Sequence, residues 1–379
     1  MIWRQNRYIF SRLSLIATLL ILSLNWACHP YSSTPEKPPA PVLPNLAKVV
    51  MGYYPAWKKA GFSFNRIKYE CLTHIAHAFT KPDANGNLIV PPDYLYPELI
   101  EEAHRHGVKV LMSVGGWGNC EGFTGMSATL AMRTRFIIQT LDFLKACHYD
   151  GVDIDWEFVS NPVEQGSFVS LIKELGAALH AQNPPLVLTM AAPSNHFWGR
   201  WINYEEVVGS FDYIGCMTYD YHGEWGDHSG HNSPLYSCGN DPCGSFNDSL
   251  LYCLSRSIPP EKLLLGLPFF GRSFDSSEFY RKFQKSLYYG FAEVMDLRAA
   301  GWASLWDDCA QVPYLQKPDQ SVLLSYDDEK SIPLKCRFVN ENQAGGVIIW
   351  EISQDFYGGD SILLSTVGKE FAKPDKSIK

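Results

Sequence analysis

Four acidic residues recur in the run DGVDIDWE, at Asp150, Asp153, Asp155 and Glu157. The β-branched and aromatic residues between them make this a strand, in which side chains alternate faces. Asp153, Asp155 and Glu157 therefore share one side, and Val152, Ile154 and Trp156 share the other. Carboxylates stacked at roughly 6 to 7 Å per two-residue step cannot all ionise cheaply where water is scarce. At least one keeps its proton near neutral pH, which supplies a general acid. Glu157 is the outermost and reaches a substrate. A divalent-cation site is the competing reading, since oxygens at alternate positions can hold calcium or magnesium, but Ile154 and Trp156 belong to a strand rather than a glycine-turned loop. A purely structural role fits less well, because buried acids need partners and pack poorly. Asp150 precedes the strand and reads as structural, bonding at its base.

Short apolar strands alternate with amphipathic helices along the chain, the mark of βα units and a parallel sheet. Strands are expected at 48–54, 72–79, 108–116, 151–158, 186–192, 211–219, 262–271 and 345–352. Helices such as PELIEEAHRHG and MRTRFIIQTLDFLKACHY place apolar residues three and four apart. Eight such strands predict an α/β fold, a closed (β/α)8 TIM barrel. The open doubly wound sheet is disfavoured because no glycine-rich phosphate loop follows the first strand. In a barrel the apolar face of 151–158 meets the helices. The carboxylates then line the axis and rise toward the C-terminal rim, where barrel active sites lie. The stretch from Phe274 to Gln343 exceeds one helix, so residues 275–343 are expected to contain a small α+β insertion between strands seven and eight. The barrel as a whole spans 47–372.

With 379 residues, 46% of them hydrophobic, the chain can bury one large barrel core. A net charge of -8 argues against nucleic acid or an anionic membrane surface as partner. Eleven tryptophans offer flat apolar faces of the kind that hold sugar rings, although most aromatics are expected in the core. Arg4, Arg7 and Arg12 precede an apolar run from Leu13 to Leu24, and Cys28 follows. That is the shape of an export signal over residues 1–28, with a cysteine at the cleavage point as in lipoproteins. The expected location is outside the cytoplasm, either secreted or anchored through lipid at Cys28 in the periplasm or on the cell surface. Residues 29–46 are rich in proline, serine and threonine and read as an extended spacer. Export permits disulfides among the ten cysteines. Cys238 and Cys243 flank the turn sequence GNDP and could close a small loop, whereas Cys216, in an apolar strand, reads as a buried free thiol. No Cys/His spacing calls for zinc, and neither a metal nor another cofactor is expected.

The pattern D-x-x-D-x-D-x-E at Asp150, Asp153, Asp155 and Glu157 resembles the signature of family 18 glycoside hydrolases, the chitinases and their relatives. The resemblance runs from about Lys48 to Phe356. It includes S-x-G-G at Ser113, Val114, Gly115 and Gly116, M-x-Y-D at Met217, Thr218, Tyr219 and Asp220, the following YHGEW and HNSPLY, GLPFFGRSF, and Trp350 on the last strand.

This resemblance implies retaining, substrate-assisted cleavage of β-1,4 linkages in chitin or chitooligosaccharides. It makes Glu157 the general acid and base, Asp155 the partner of the sugar's acetamido N–H, Asp153 its proton-sharing neighbour, and Tyr219 a donor to the acetamido carbonyl. Asp220 would hold the distorted sugar and Trp350 would form the floor beneath it. Tyr53, Phe79, Ser113, Gly116, Met217 and Arg272 would surround the sugar or the acidic strand, with Arg272 equally readable as an ion-pair partner. Trp117 and Trp225 would stack further sugars. The expected partner is an N-acetylglucosamine glycan bound by a monomer. Two alternatives stand beside this reading: an endo-β-N-acetylglucosaminidase acting on N-glycan cores, and a non-catalytic chitin-binding lectin, which is expected to lack the acid. The segment between GRSF and GFAEVMDL is short, which implies one reduced groove wall.

Overall fold

The computed structural model describes residues 43–239 and 241–374. The expected signal segment, Cys28 and most of the spacer lie outside the described residues. Leu46, assigned to the spacer, is instead buried and bridges Ala372. The packed chain thus begins slightly earlier than composition implied, because Leu46 is apolar and joins the outer core.

Eight parallel strands close on themselves: β1 Val49–Pro55, β2 His74–Pro82, β3 Lys109–Gly115, β4 Gly151–Asp155, β5 Val187–Ala192, β6 Tyr213–Cys216, β7 Leu263–Pro268 and β8 Gly346–Trp350. Closure is made by β1, which pairs with β2 on one side and β8 on the other. The alternation expected of a barrel is visible in the packing. Met51, Tyr53, Ala76, Leu111, Leu264 and Ile348 form an inner cluster. Val50, Val110, Met112, Val152 and Ile154 belong to the large outer core beneath the helices.

The helix after β4, Pro162–His180, is set by a strong start signal. Asn161 Oδ1 accepts from the N–H groups of Val163 and Glu164, and Pro162 occupies the first helical position. Glu164 Oε2 also accepts from Ser160 N and Oγ, while Oε1 accepts from Thr124 Oγ1. The loop that carries Glu157 is therefore anchored at its far end.

Three expectations need correction. Strand β4 stops at Asp155 rather than 158, because the backbone beyond it bonds to the loop after β3: Gly116 N donates to Asp155 O at 2.8 Å, and Glu157 N donates to Cys120 Sγ at 3.2 Å. The seventh strand ends at Pro268, which has no N–H for a ladder. Its continuation Phe270–Phe274 joins a separate five-stranded antiparallel sheet, with neighbours Ser286–Gly290 and Leu323–Ser325 and outer strands Val312–Gln316 and Ala303–Asp307. With helix Phe291–Ala299 this is the α+β insertion, but it begins at 270, and helix Ser331–Glu341 leads back into β8 rather than belonging to it. Finally, Cys238 is bonded to Cys309, not to Cys243, tying the loop after β6 to the insertion. Asp241 Oδ1 accepts from Cys243 N at 3.0 Å, and this turn aims Cys243 at His228 instead. Cys216 is buried and outside any disulfide, as expected.

Candidate active site

The acidic face of β4 points into the barrel. Asp153 is fully buried, and its carboxylate accepts three hydroxyls: Tyr53 at 2.9 Å, Ser113 at 2.8 Å and Thr189 at 2.6 Å. Burial raises its pKa, and the Thr189, Ser113 and Tyr53 hydrogen bonds oppose that rise. Asp155, one step higher, is 4% exposed and its Oδ1 has no hydrogen-bond partner among the described residues. Burial first, then the charges of Glu157 and Asp153, push its pKa well above the carboxylate range. Glu157 stands past the end of the strand, with its pKa raised to about 7 by burial and by Asp220, against a backbone hydrogen bond from Trp117. A ladder of three acids thus has its most hydrogen-bonded member at the bottom and its most strongly proton-binding members at the top.

Two glycines make this ladder possible. A Cβ on Gly115 would lie 2.1 Å from the Asp155 carbonyl, and one on Gly116 would lie 2.5 Å from the Phe79 ring, and both residues have positive φ. Only glycine lets the loop after β3 lie flat on β4 while Phe79 keeps its place. The Phe79 ring stacks on Trp350 at 5.8 Å and 15°, and Tyr53 meets Trp350 at 5.5 Å. These rings form an apolar floor beside the acids. The half-buried Met217 packs against the same inner cluster.

Tyr219 faces the acids, and its hydroxyl is kept protonated by burial and by the charges of Asp155, Glu157 and Asp220. Asp220, with φ 59°, accepts from Arg272 Nε at 2.8 Å, so Arg272 is an ion-pair partner. Its guanidinium also lies over the rings of Trp225 at 4.8 Å and Tyr288 at 5.2 Å. Trp117 and Trp225 are 74% and 56% exposed at the rim. Asp150 accepts from Val110 N at 2.7 Å and contacts His104, at the barrel base and away from the site.

Four residues at the site escaped the sequence reading. Thr189 is signalled only by its inward parity on β5. Trp57, 60% exposed and 6.1 Å from Phe79, follows β1 directly. Tyr288 reaches Phe270 from across the insertion sheet, and Cys120 bonds behind Glu157. The last two arrive from separate segments that no local pattern links.

The sequence matches the glycosyl hydrolases family 18 over residues 49–355. The chain belongs to this family. It is a glycoside hydrolase on the barrel scaffold of the chitinases. It is 27% identical over 380 residues to a chitinase-like effector of Moniliophthora roreri, covering 82% of this chain and 90% of that protein. It is 28% identical over 376 residues to probable chitinase 2 of Drosophila melanogaster, covering 86% and 76% respectively. Among solved structures, a family 18 chitinase of Cycas revoluta in complex with (GlcNAc)3 superposes with a TM-score of 0.78 at 25% identity, over 85% of this chain and 99% of that one.

Proposed function

We propose that this family 18 hydrolase cleaves β-1,4 linkages of chitin or chitooligosaccharides with retention of configuration, the sugar's own 2-acetamido group acting as nucleophile. The observation that carries the reading is the ladder of Asp153, Asp155 and Glu157, with Glu157 at its rim holding a proton up to about 7. Glu157 protonates the departing glycosidic oxygen and, as carboxylate, then activates water. Asp155, whose Oδ1 lacks a partner, accepts the acetamido N–H and offsets the positive charge that develops on the oxazolinium. Asp153 shares its proton. Tyr219 donates to the acetamido carbonyl, the Trp350 floor supports the reacting sugar, and Asp220 holds it through the geometry fixed by Arg272. No enzyme nucleophile is needed, so the acids serve to position the sugar, to move protons and to offset developing charge.

The substrate class draws support from relatives named as chitinases and from the neighbour bound to (GlcNAc)3. The intact acid Glu157 favours catalysis. The test of mechanism compares a chitooligosaccharide with an analogue in which the 2-acetamido group is replaced by hydroxyl, and follows the first-formed anomer by NMR. Cleavage of the first alone, giving the β anomer, is the expected result. Equal turnover of both, or release of the α anomer first, would rule substrate assistance out.

Export is part of the same proposal. It rests on the basic, apolar and cysteine-ended N-terminal sequence, with support from the Cys238–Cys309 disulfide, a bond favoured outside the reducing cytoplasm. Lipid attachment at Cys28 predicts incorporation of labelled palmitate that disappears in Cys28→Ser. Unchanged incorporation, or none in the parent, would remove the anchor.

A further inference from the structure

The loop after β6 folds four potential ligand side chains together, 222 to 243, outside the acidic ladder. Ligand atoms of His222, His228, Asp241 and Cys243 all lie within 4.8 Å of one another. Three of the six separations are 3.2 Å from His222 Nε2 to Asp241 Oδ1, 3.8 Å from His228 Nε2 to the same oxygen, and 3.7 Å from His228 Nε2 to Cys243 Sγ. Ligands on a tetrahedral zinc ion, with bonds of about 2.0 to 2.3 Å, stand roughly 3.3 to 3.6 Å apart. These three are close to that spacing.

The hydrogen bonds around it define which atoms face inward. His222 Nδ1 lies 2.9 Å from His231 O, a carbonyl that can only accept, so Nδ1 carries a proton and Nε2 is the ring nitrogen turned into the cluster. His228 repeats the pattern: Nδ1 lies 2.6 Å from the Asp227 carboxylate, leaving Nε2 inward. Histidines that ligate metals are oriented this way, with the outer ring nitrogen donating to a carbonyl or carboxylate. Inside the cluster His228 Nε2 pairs with Cys243 Sγ, but two buried atoms are left over. The side chains of His222 and Asp241 are each 1% exposed, yet among the described residues His222 Nε2 and Asp241 Oδ2 have no hydrogen-bond partner, and the 3.2 Å approach between the two residues is misaligned for one. Polar atoms turned toward a common point, buried and unpaired, are costly unless a cation lies between them.

We propose that His222, His228, Asp241 and Cys243 bind one zinc ion, with a structural role. Two imidazoles, a carboxylate and a thiolate form a borderline-soft donor set that selects zinc over calcium or magnesium. Four protein ligands leave no open position, which separates this site from hydrolytic zinc. An entry path exists, since a hollow of about 400 Å³ lined by His228, Asp241 and Tyr280 opens onto the cluster. The ion would clamp the segment that carries Trp225 to the segment next to the Cys238–Cys309 disulfide. It would thereby stiffen the rim loop against the insertion, to which Ser229 and Tyr280 already bind it.

The test uses the purified full chain and measures metal, not cleavage. After dialysis against zinc and removal of the excess, elemental analysis should find about one zinc per chain. Replacing it with cobalt should give the visible bands of a tetrahedral ion and a near-ultraviolet thiolate charge-transfer band. Cys243→Ser should abolish the charge-transfer band, and the more exposed His228→Ala should lower the bound equivalent while leaving the folded far-ultraviolet spectrum intact. Failure of the parent to retain zinc from excess would overturn the proposal. So would a cobalt spectrum indifferent to Cys243→Ser, or peptide mapping that finds Cys243 joined to Cys238 or Cys309.

Discussion

Thr189 on β5 donates its hydroxyl to Asp153 Oδ1 at 2.6 Å, across the barrel interior from the hydroxyls of Tyr53 and Ser113 on the other oxygen. Three donors on one carboxylate favour its anion, which leaves the proton shared with Asp155 on the upper residue. Thr189→Val removes one hydrogen bond to a charged group, and Asp153 should then hold a proton about tenfold or more tightly. Cleavage should fall by a similar factor with little change in substrate binding. A kcat unchanged within twofold would show that the lower carboxylate does not govern the upper one.

Asp220 raises the proton affinity of Glu157, second only to burial. The acid must be protonated to work, so kcat/KM should decline as pH rises through about 7. Asp220→Asn removes the negative charge and should move this alkaline limb to lower pH. The limb reports the coupled carboxylates together, and its displacement is the readout. A limb that stays in place would detach Asp220 from the acid.

The same raised value predicts a stability profile. Glu157 ionises near 4.5 in the unfolded chain and near 7 in the folded one. Its protonated form is therefore favoured by folding, and that stability is complete below about 4.5 and is lost as pH rises toward about 7. Glu157→Gln lacks this loss. Its melting temperature should match the parent at pH 4.5 and exceed it above pH 7, by the equivalent of about 2 to 3 kcal/mol at most, discounted for the group's partial exposure. A difference independent of pH would contradict the assignment.

Gly116 has φ +83° and no room for a Cβ beside Phe79. Gly116→Ala should cost about 1 to 3 kcal/mol and push Phe79 off Trp350. Its effect on cleavage should appear first as a raised KM for oligosaccharides, with the acid ladder intact. A variant with parent-like melting and KM would mean that the rings do not depend on this glycine.

Much of the barrel and of the acid ladder was legible because strand parity is local: once 151–155 is a strand, the common face of Asp153 and Asp155 is fixed, and Glu157 follows just past the strand's end. The hydrophobic runs likewise located all eight barrel strands to within a few residues. What escaped depends on contacts between distant segments. The run 262–271 reads as continuous, but Pro268 hands the chain to another sheet. Cys238 pairs with Cys309, 71 residues away, where sequence proximity favoured Cys243. The His222, His228, Asp241 and Cys243 cluster has no familiar metal spacing, since a loop and not a motif assembles it. Thr189 shows the limit most simply, as its parity was readable but its partner was not.

The most direct test of the account is the release of N-acetylglucosamine oligomers from a chitooligosaccharide by the purified parent and by Glu157→Gln, with binding of the same oligosaccharide measured in parallel. The account predicts that the parent cleaves, that Glu157→Gln is slower on the order of a hundred- to ten-thousand-fold, and that binding is retained. Cleavage undiminished in Glu157→Gln, or a parent that binds the oligosaccharide without cutting it, would contradict it.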